Sequence, residues 1–452
     1  MNDLQRERSS LFTGLLLILL GLVFLFHRFH PELEIGRIAA RYWPVLLILW
    51  GLAKLIDHFA ANKLGGHRPP FLTGREAALL VLVAMVLVAM WVAENFRPRG
   101  HRVHAFDVDI LSRTYTENRE VSPTQIPLGA QIRIETRRGN INVHAGEGNE
   151  LRAEANLSAP GMSEGGAREK MKEIRIAIEK MGTGYILHAL DPDSDERTDV
   201  SLDVELPKKV SITASSSRGD ISISGLAGNV AAESQSGDIE IHEVAGDVAA
   251  TVGNGDTRIS EVQGNARVSG KGNEVDVSDV TGDATVEGDF FGPIRVRNVK
   301  KTAHFVSMSS DLTLVHLTGQ LELDSGQIEI SDVAGVAKLV THNKDIEVEN
   351  VGGRLDISGS HGDIKVRYSE PPHEDVNIAN DTGEVDLTLP AKSAFEISAI
   401  SRSGEIESDF EDPGLQSVNE KGTGRLNGRF GSRGPKIKIA TTYGTIYLQR
   451  SS

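Results

Sequence analysis

The chain has 452 residues, of which 39% are hydrophobic, 25% charged and 5% aromatic, and it contains no cysteine. The absence of cysteine excludes disulfides, thiolate metal sites and a cysteine nucleophile. The net charge of −15 is unevenly distributed, because the first 100 residues carry +4 and the remainder carry −19. A surface this acidic repels phosphate groups, so we expect no nucleic-acid partner.

Three apolar segments in the first hundred residues are predicted to be membrane helices. They cover about residues 11–26, 42–56 and 77–92, and each is close to the minimum length that spans a bilayer. A cleavable signal peptide is the alternative for the first segment, but its apolar run is long, no small-residue cleavage site follows it, and two further runs come after. Residues 1–96 are therefore assigned to a multi-pass transmembrane region and residues 97–130 to a linker. Basic residues divide equally between the two sides, so they select no orientation.

The first two apolar segments carry a family resemblance. The run from Gly14 to Gly21 (GLLLILLG), followed by the run from Tyr42 to Gly51 (YWPVLLILWG), resembles the membrane region of bacterial LiaI/LiaF-type envelope-stress proteins. The resemblance implies a bacterial cell membrane and a part in sensing or buffering envelope damage. Gly14 and Gly21 lie on one side of the first predicted helix, where we expect another membrane protein to pack.

A β-rich lead-in is predicted for residues 131–217. Extended strands are expected within Arg133–His144, Ile174–Leu190 and Val200–Ser216, and a short helix within Ala167–Lys172. These strands are expected to open the stack of coils that follows.

An 18-residue repeat dominates residues 218–370. The coil starts are Gly219, Gly237, Gly255, Asn273, Gly292, Ser310, Gly326, Lys344 and Gly362, and a second glycine lies midway at residues 228, 246, 264, 282, 319, 335 and 353. Apolar residues alternate within each unit, which is typical of short strands. Because one such unit cannot bury its apolar side alone, the sequence predicts an all-β fold, a single-chain β-solenoid with about 18 residues per coil. Glycine is expected at corners that need a positive φ.

Stacking of the units predicts two buried columns. One contains Ile223, Ile241, Ile259, Val277, Val296, Leu314, Ile330, Val348 and Val366, and the other contains Leu226, Val244, Val262, Val280, Val299, Leu317, Val333 and Val351. The left-handed hexapeptide helix of acyltransferases also has coils of this length, but it needs an aliphatic residue at every sixth position. Ile239, Ala245 and Thr251 do not meet that requirement.

The repeat loosens in residues 371–452, which are predicted to form irregular β coils and a C-terminal strand. Coil starts are expected at Gly383, Gly404 and Gly444, and the segment Gly414–Gly434 is expected to be a mobile loop. Together with Leu206–Val210 (LPKKV) before the first coil start, the arrangement resembles the adhesin-like β-strand-repeat domain of bacterial envelope proteins. That family implies an architecture and no catalytic or ligand residues.

Acidic and amide side chains recur at two positions of the repeat. They are Asp220, Asp238, Asp256, Asp311, Asp345 and Asp363 at one position, and Asn229, Asp247, Asn265 and Asp283 at the other. In stacked coils they form ladders that suit Ca²⁺ or a cationic envelope polymer. The interpretation we favour is that they are turn residues that bond their own backbone.

Other candidate groups point to no chemistry. The carboxylate pairs Glu240 with Glu329 and Asp276 with Glu347 are the ones available to a polysaccharide-acting enzyme. The histidines fall at different positions of the repeat: His242, His304, His316, His342 and His361. The tripeptide Arg218–Asp220 (RGD) is a coil start. The segment Arg425–Lys436 is a basic patch that would suit anionic lipid or polymer. We predict no catalytic, cofactor-binding or metal-ligating residue.

The sequence therefore predicts a multi-pass protein of the bacterial inner membrane with an extracytoplasmic β-solenoid. Its expected role is that of a non-enzymatic interaction scaffold or sensor in envelope stress, with the lipid bilayer, another membrane or envelope-stress protein, or a cell-envelope polymer as partners. An adhesin or cell-wall polymer binder is the first alternative, and a polysaccharide-acting β-helix enzyme is the second.

Overall fold

The computed structural model describes residues 113–161, 163–190 and 198–451. The three predicted membrane helices and Gly14 and Gly21 lie outside these residues. No helix within the described ranges is both long and apolar enough to span a bilayer.

The lead-in contains eight strands and one helix. They are β1 (Arg113–Gln125), β2 (Gln131–Arg138), β3 (Ile141–Gly146), β4 (Glu150–Gly161), α1 (Glu164–Glu173), β5 (Arg175–Met181), β6 (Gly184–Leu190), β7 (Asp199–Pro207) and β8 (Ser211–Arg218). Helix α1 begins because the Oγ atom of Ser163 accepts a hydrogen bond from the Gly166 N–H, and it buries Ala167 and Met171 one turn apart. The strands and the short helix expected here are confirmed.

Regular coils follow, each with two strands. They are β9 (Ile221–Ser224), β10 (Val230–Ser234), β11 (Ile239–Val244), β12 (Val248–Val252), β13 (Thr257–Val262), β14 (Ala266–Gly272), β15 (Val275–Val280) and β16 (Ala284–Phe290). Odd strands stack in parallel on odd strands, and even strands on even strands, in register at a spacing of 18 residues, as between Ile241 and Ile259 and between Ala250 and Val268. We call the stack that contains β9, β11, β13 and β15 sheet A, and the stack that contains β10, β12, β14 and β16 sheet B. Towards the N-terminus, sheet A continues from β9 through β3, β7 and β4 to β1. The predicted β-solenoid is confirmed.

Each coil turns at three corners, which we number in chain order. In the coil that contains β11 and β12, corner 1 is Gly237–Asp238, corner 2 is Glu243 and corner 3 is Gly246–Asp247. Inward side chains alternate along both strands, so Ile239, Ile241, Val248 and Ala250 are buried between the sheets. The result is a continuous aliphatic core along the stack.

A long hairpin interrupts the regular coils. Strands β17 (Ile294–Val306) and β18 (Ser310–Leu323) each span both sheets, and they pair antiparallel with each other. Strand β18 therefore runs backwards relative to every neighbouring coil. The predicted coil start at Ser310 is wrong, because an alternating apolar pattern reads the same in both directions. Leu314 lies beside Ala303 in sheet B, and Leu321 takes its expected place beside Val296.

The coils then resume and end in a rearranged C-terminal part. The strands are β19 (Gln327–Val333), β20 (Ala337–Thr341), β21 (Asp345–Val351), β22 (Leu355–His361), β23 (Ile364–Arg367), β24 (Val376–Thr382), β25 (Val385–Pro390), β26 (Phe395–Ser403), β27 (Ile406–Ser408), β28 (Leu415–Glu420), β29 (Thr423–Phe430), β30 (Lys436–Tyr443) and β31 (Ile446–Ser451). Strand β30 lies between β24 and β26, and β31 lies between β25 and β27. The last coil in sequence is thus not the last coil in space.

The segment Gly414–Gly434 is not the mobile loop that the sequence suggests. It forms β28 and β29, which add antiparallel to β26 at the end of sheet B. The rings of Phe395, Phe410 and Phe430 pack against one another there, with centroids 5.0 to 5.5 Å apart. This hairpin closes the C-terminal end of the core.

Candidate interaction surface

Corner 1 is held by its acidic side chains. The Oδ1 atom of Asp220 accepts a hydrogen bond from the backbone N–H of Asp238 at 2.9 Å, and the Oδ1 atom of Asp238 accepts one from Asp256 at 2.8 Å. Asp345 and Asp363 are linked in the same way at 2.9 Å. These carboxylates therefore bond the backbone of the next coil, and the expectation that they bond their own backbone is wrong.

Corner 3 repeats the arrangement with amides and carboxylates. The Oδ1 atoms of three side chains each accept a hydrogen bond from a backbone N–H in the next coil. The pairs are Asn229 with Asp247 at 3.0 Å, Asp247 with Asn265 at 2.8 Å and Asn265 with Asp283 at 2.9 Å. Since one oxygen of each side chain is occupied by the next coil, the ladders serve to join coils. Within the described ranges, no group of three or more histidine or acidic side chains is arranged to hold a metal ion.

Asp311 is not part of the corner ladder, because it lies on the reversed strand β18. Its carboxylate is instead 3.2 Å from the Nε2 atom of His304 on β17. His342 contacts the carbonyl oxygen of Ser309 through Nδ1 at 3.2 Å, and His316 lies at corner 2. The histidines are thus dispersed over the solenoid.

Corner 2 is the feature that the sequence analysis missed. The residues at this corner adopt left-handed conformations although they are not glycine, with φ between 52° and 57°: Glu243, Glu261, Asp279, Asn298, His316, Asp332 and Asn350. A shallow groove of about 550 Å³ follows this corner and includes Glu243, Glu261 and Lys300 among its lining residues. Gly225, which has φ 74° at the same corner, and the asparagines at residues 298 and 350 are of types that favour this conformation, whereas Glu243 and Glu261 give no such signal.

The glycines of the other two corners are needed for different reasons. Gly237 at corner 1 has a φ of 148°, which side chains rarely adopt. Gly246 at corner 3 has no positive φ, but a Cβ atom there would lie 2.5 Å from the carbonyl oxygen of Gly228 in the preceding coil. Glycine at corner 3 therefore permits close stacking and does not serve a positive φ, contrary to expectation.

The carboxylate pairs considered for an enzyme are not brought together. Glu240 on β11 and Glu329 on β19 are separated by β13, β15, β17 and β18. Asp276 on β15 and Glu347 on β21 are separated by three strands, and Asp276 forms an ion pair with Arg297 at 2.7 Å. Neither pair can flank one glycosidic bond.

The RGD sequence is also built into the solenoid. Gly219 turns corner 1 with a φ of 148°, and Asp220 uses its carboxylate to accept the N–H of Asp238. This tripeptide is therefore part of a coil junction and not a projecting loop.

The basic patch Arg425–Lys436 lies on strands β29 and β30 and on the turn between them. Beside it, the outer face of sheet B forms a second shallow groove of about 420 Å³. Its floor includes the small or apolar outward side chains of Ala379, Ala440 and Ile400, and Lys338 and Lys438 border it. Neither of these lysines forms an ion pair within the described part of the chain, in contrast to the many arginines that do.

Five titratable groups in the described part of the chain have pKa values shifted by their surroundings. The hydrogen bond to Glu322 and the nearby Glu274 raise the pKa of Arg295. N–H donation by Gly326 and Gln327 lowers the pKa of the Asp324 carboxyl, and partial burial lowers the pKa of Lys344. Burial raises the pKa of Asp386, and deeper burial raises that of Tyr368 far above its ordinary value. Asp324 and Lys344 are neighbours, because the Lys344 ammonium donates a hydrogen bond to the carbonyl oxygen of Asp324, and turn hydrogen bonds and partial burial account for their shifts.

Comparison with known proteins matches two family models to the chain. A family model described as Toastrack DUF4097 matches residues 130–449, and one described as a LiaI-LiaF-like transmembrane region matches residues 11–55. No curated protein sequence matches the chain significantly.

Several solved structures resemble the chain weakly. A candidate cell adhesion protein of Clostridium sporogenes is 13% identical over 75% of this chain and 100% of its own, with a TM-score of 0.17. A candidate adhesin of Bacteroides fragilis is 10% identical over 74% and 97%, with a TM-score of 0.22, and a candidate lipid-binding protein of Parabacteroides distasonis is 10% identical over 74% and 96%, with a TM-score of 0.24. With TM-scores this low, these likenesses say nothing about what the chain binds.

Proposed function

We propose, from the premise that this chain belongs to the Toastrack DUF4097 family, that it is a membrane-anchored interaction scaffold whose solenoid binds a partner on the outer face of sheet B. The observation that carries the proposal is a difference between two groups of polar side chains: one bonds neighbouring coils and the other does not. The acidic and amide side chains of corners 1 and 3 join coils, whereas Lys338 and Lys438 border an apolar groove and form no ion pair with any described residue.

The groove has the composition of a contact surface. Small outward side chains at Ser358, Ala379 and Ala440 leave the sheet accessible, and Ile400 adds apolar area. Asp356 also lines the groove, but Arg354 neutralises it through an ion pair at 2.8 Å. The two lysines therefore favour an anionic or acidic partner, since opposite charge speeds association and fixes orientation. A membrane-embedded protein or a cell-envelope polymer of this chemistry fits the site.

We place the role in the bacterial envelope-stress response, with the solenoid outside the cytoplasm. The LiaI-LiaF-like transmembrane region supports membrane attachment and this type of process. The placement of the solenoid is tested with Thr213→Cys, since the native chain has no cysteine and Thr213 is exposed on β8, away from the proposed groove. We expect a membrane-impermeant maleimide to label this variant in intact cells, and labelling only after lysis would contradict the placement.

The role itself is tested by charge reversal in the full chain. We expect Lys338→Glu/Lys438→Glu to alter the transcriptional response to cell-wall antibiotics as strongly as deletion does, at an unchanged protein level. The matched control is Arg258→Glu/Lys271→Glu, which reverses two exposed cations in the N-terminal half of the solenoid that also form no ion pair within the described residues. An unaltered response in the deletion strain would refute the stress role, and altered binding of cells to peptidoglycan instead would favour the adhesin or polymer-binding alternative.

A further inference from the structure

Among the described strands, β1 is the edge strand of sheet A at the N-terminal end of the solenoid. It has 13 residues and, among the described strands, it pairs only with β4. Pairing with β4 is regular from Arg113 to Val121, where a bulge begins. Over this regular part the edge presents N–H and C=O groups that no described strand pairs, which is a template for another strand; Pro123, which has no N–H, lies beyond it.

The opposite end of sheet A is protected, which makes the open edge at β1 distinctive. Strand β27 has only three residues, and the side-chain amide of Asn419 lies along its free side. The Oδ1 atom of Asn419 accepts from the N–H of Ile406 at 3.1 Å, and its Nδ2 atom donates to the carbonyl oxygen of Ile406 at 3.0 Å. An amide thus takes the place of a neighbouring strand at this end.

The sequence of β1 is complementary to itself when read antiparallel about Asn118. In that register, Glu117 of one copy lies opposite Arg119 of the other, and Tyr115 lies opposite Val121. Opposite charges and aromatic–aliphatic pairs stabilise directly opposed positions. Moving the pivot to Glu117 or to Arg119 would place like charges opposite each other, so the register about Asn118 is selected.

The side chains that would meet across this edge are already held in place. Arg119 donates hydrogen bonds to the carbonyl oxygens of Met171 and Ile174, both at 2.8 Å, and to Glu117 at 3.0 Å. Tyr115 and Val121 are partly buried against the core on the same face of the strand. Little side-chain freedom would therefore be lost when a second copy binds.

We infer that β1 pairs antiparallel with β1 of a second copy of this chain, about a two-fold axis at Asn118, so that sheet A continues from one solenoid into the next. Such a contact is isologous and closes after two copies. Membrane attachment through the LiaI-LiaF-like region confines the copies to one plane, which raises their effective concentration for this contact.

The inference is tested by disulfide cross-linking of the full chain in native membranes, where the absence of native cysteine leaves a clean background. We expect Asn118→Cys to form a covalent dimer on mild oxidation, since its two copies meet at the axis. Thr114→Cys is the matched control, because in this register each Thr114 lies about 27 Å from its counterpart along the strands. It should give at least tenfold less dimer.

A second variant distinguishes a folding defect from a loss of pairing, because the side chain of Asn118 forms hydrogen bonds with Glu154 and Asn156. Thr116→Cys/Glu120→Cys leaves Asn118 intact and places two cysteine pairs across the interface within the regular part of β1, so it should restore the dimer. Equal cross-linking of Thr114→Cys alone would indicate random collision, and a monomer in all three variants would mean that β1 does not meet β1. Either result would overturn the inference without bearing on the groove of sheet B.

Discussion

A buried hydroxyl interrupts an aliphatic column of sheet A. Thr257 stacks between Ile239 and Val275, is 1% exposed, and its Oγ1 atom has no hydrogen-bond partner in the described part of the chain. Because an unsatisfied buried hydroxyl carries a desolvation cost, we predict that Thr257→Val raises the free energy of unfolding by about 1 kcal/mol. Urea denaturation measures this change.

Thr213→Val is the control for that substitution. Thr213 lies outward on β8 and is exposed, so the same chemical change should leave stability unaltered. A gain of equal size at both positions would attribute the effect to β propensity and not to the buried hydroxyl.

The acidic ladder at corner 1 makes a second prediction at the scale of single residues. Asp238 acts as an acceptor through Oδ1, so Asp238→Asn keeps the bond to Asp256, whereas Asp238→Ala removes it. We expect the alanine variant to lose about 1 kcal/mol of unfolding free energy and the asparagine variant to lose almost none. Equal losses in both would show that the charge, and not the hydrogen bond, matters.

For individual residues, the sequence predicted which apolar side chains stack but not which hydrogen bonds the corner side chains form. Alternation correctly predicted that Ile241 and Ile259 stack in one buried column, because the repeat places them at equal positions. It could not predict that Asp238 bonds the next coil, since an aspartate after glycine serves a local turn equally well. Nor could it predict the left-handed conformation of Glu243, because a glutamate carries no signal for positive φ.

At the scale of elements, the C-terminal hairpin of β28 and β29 shows that a segment of polar composition can still form ordered strands. Its segment is rich in glycine, serine and arginine, and in β29 the side chain of Leu426 is buried and that of Phe430 is partly buried against the core. A capping hairpin needs only a few apolar contacts, since its outer face meets water. The polar composition therefore suggests a loop although the segment is ordered by its neighbours.

Phe410 tests how this hairpin is held. Its ring lies 5.3 Å from that of Phe395 and 5.0 Å from that of Phe430, and the side chain is buried. We predict that Phe410→Ala lowers the free energy of unfolding by about 3 kcal/mol and increases hydrogen exchange in β29. Tyr443→Ala, at an exposed position, should change neither quantity, and unaltered exchange in the Phe410 variant would contradict the packing role.

At the scale of the whole molecule, the order of coils in space departs from their order in the chain. The coil of β30 and β31 fills the space between the coil of β24 and β25 and that of β26 and β27. The sequence correctly identified Gly383, Gly404 and Gly444 as coil starts. It could not order them, because each coil presents the same alternating pattern to any neighbour and the connecting segments are long enough for either order.

This insertion makes the end of the solenoid depend on the last residues of the chain. Stability in stacked repeats comes largely from contacts between neighbouring coils. Without β30 and β31, strands β26 and β27 lose their parallel partners, and β26 retains only the hairpin strand β29. The hairpin alone buries too little apolar area to remain folded.

We therefore predict that a chain ending at Pro435 loses hydrogen-exchange protection in β26 to β29 and keeps it in β19 to β22. A chain ending at Ala391 is the matched reference, because it lacks the whole rearranged end. Both truncated chains should show the same hydrogen-exchange protection over the residues that they share, and the same midpoint of urea unfolding. Retained protection of β26 and β29 in the longer chain would contradict the prediction, since the coil of β26 and β27 would then be stable without the inserted one.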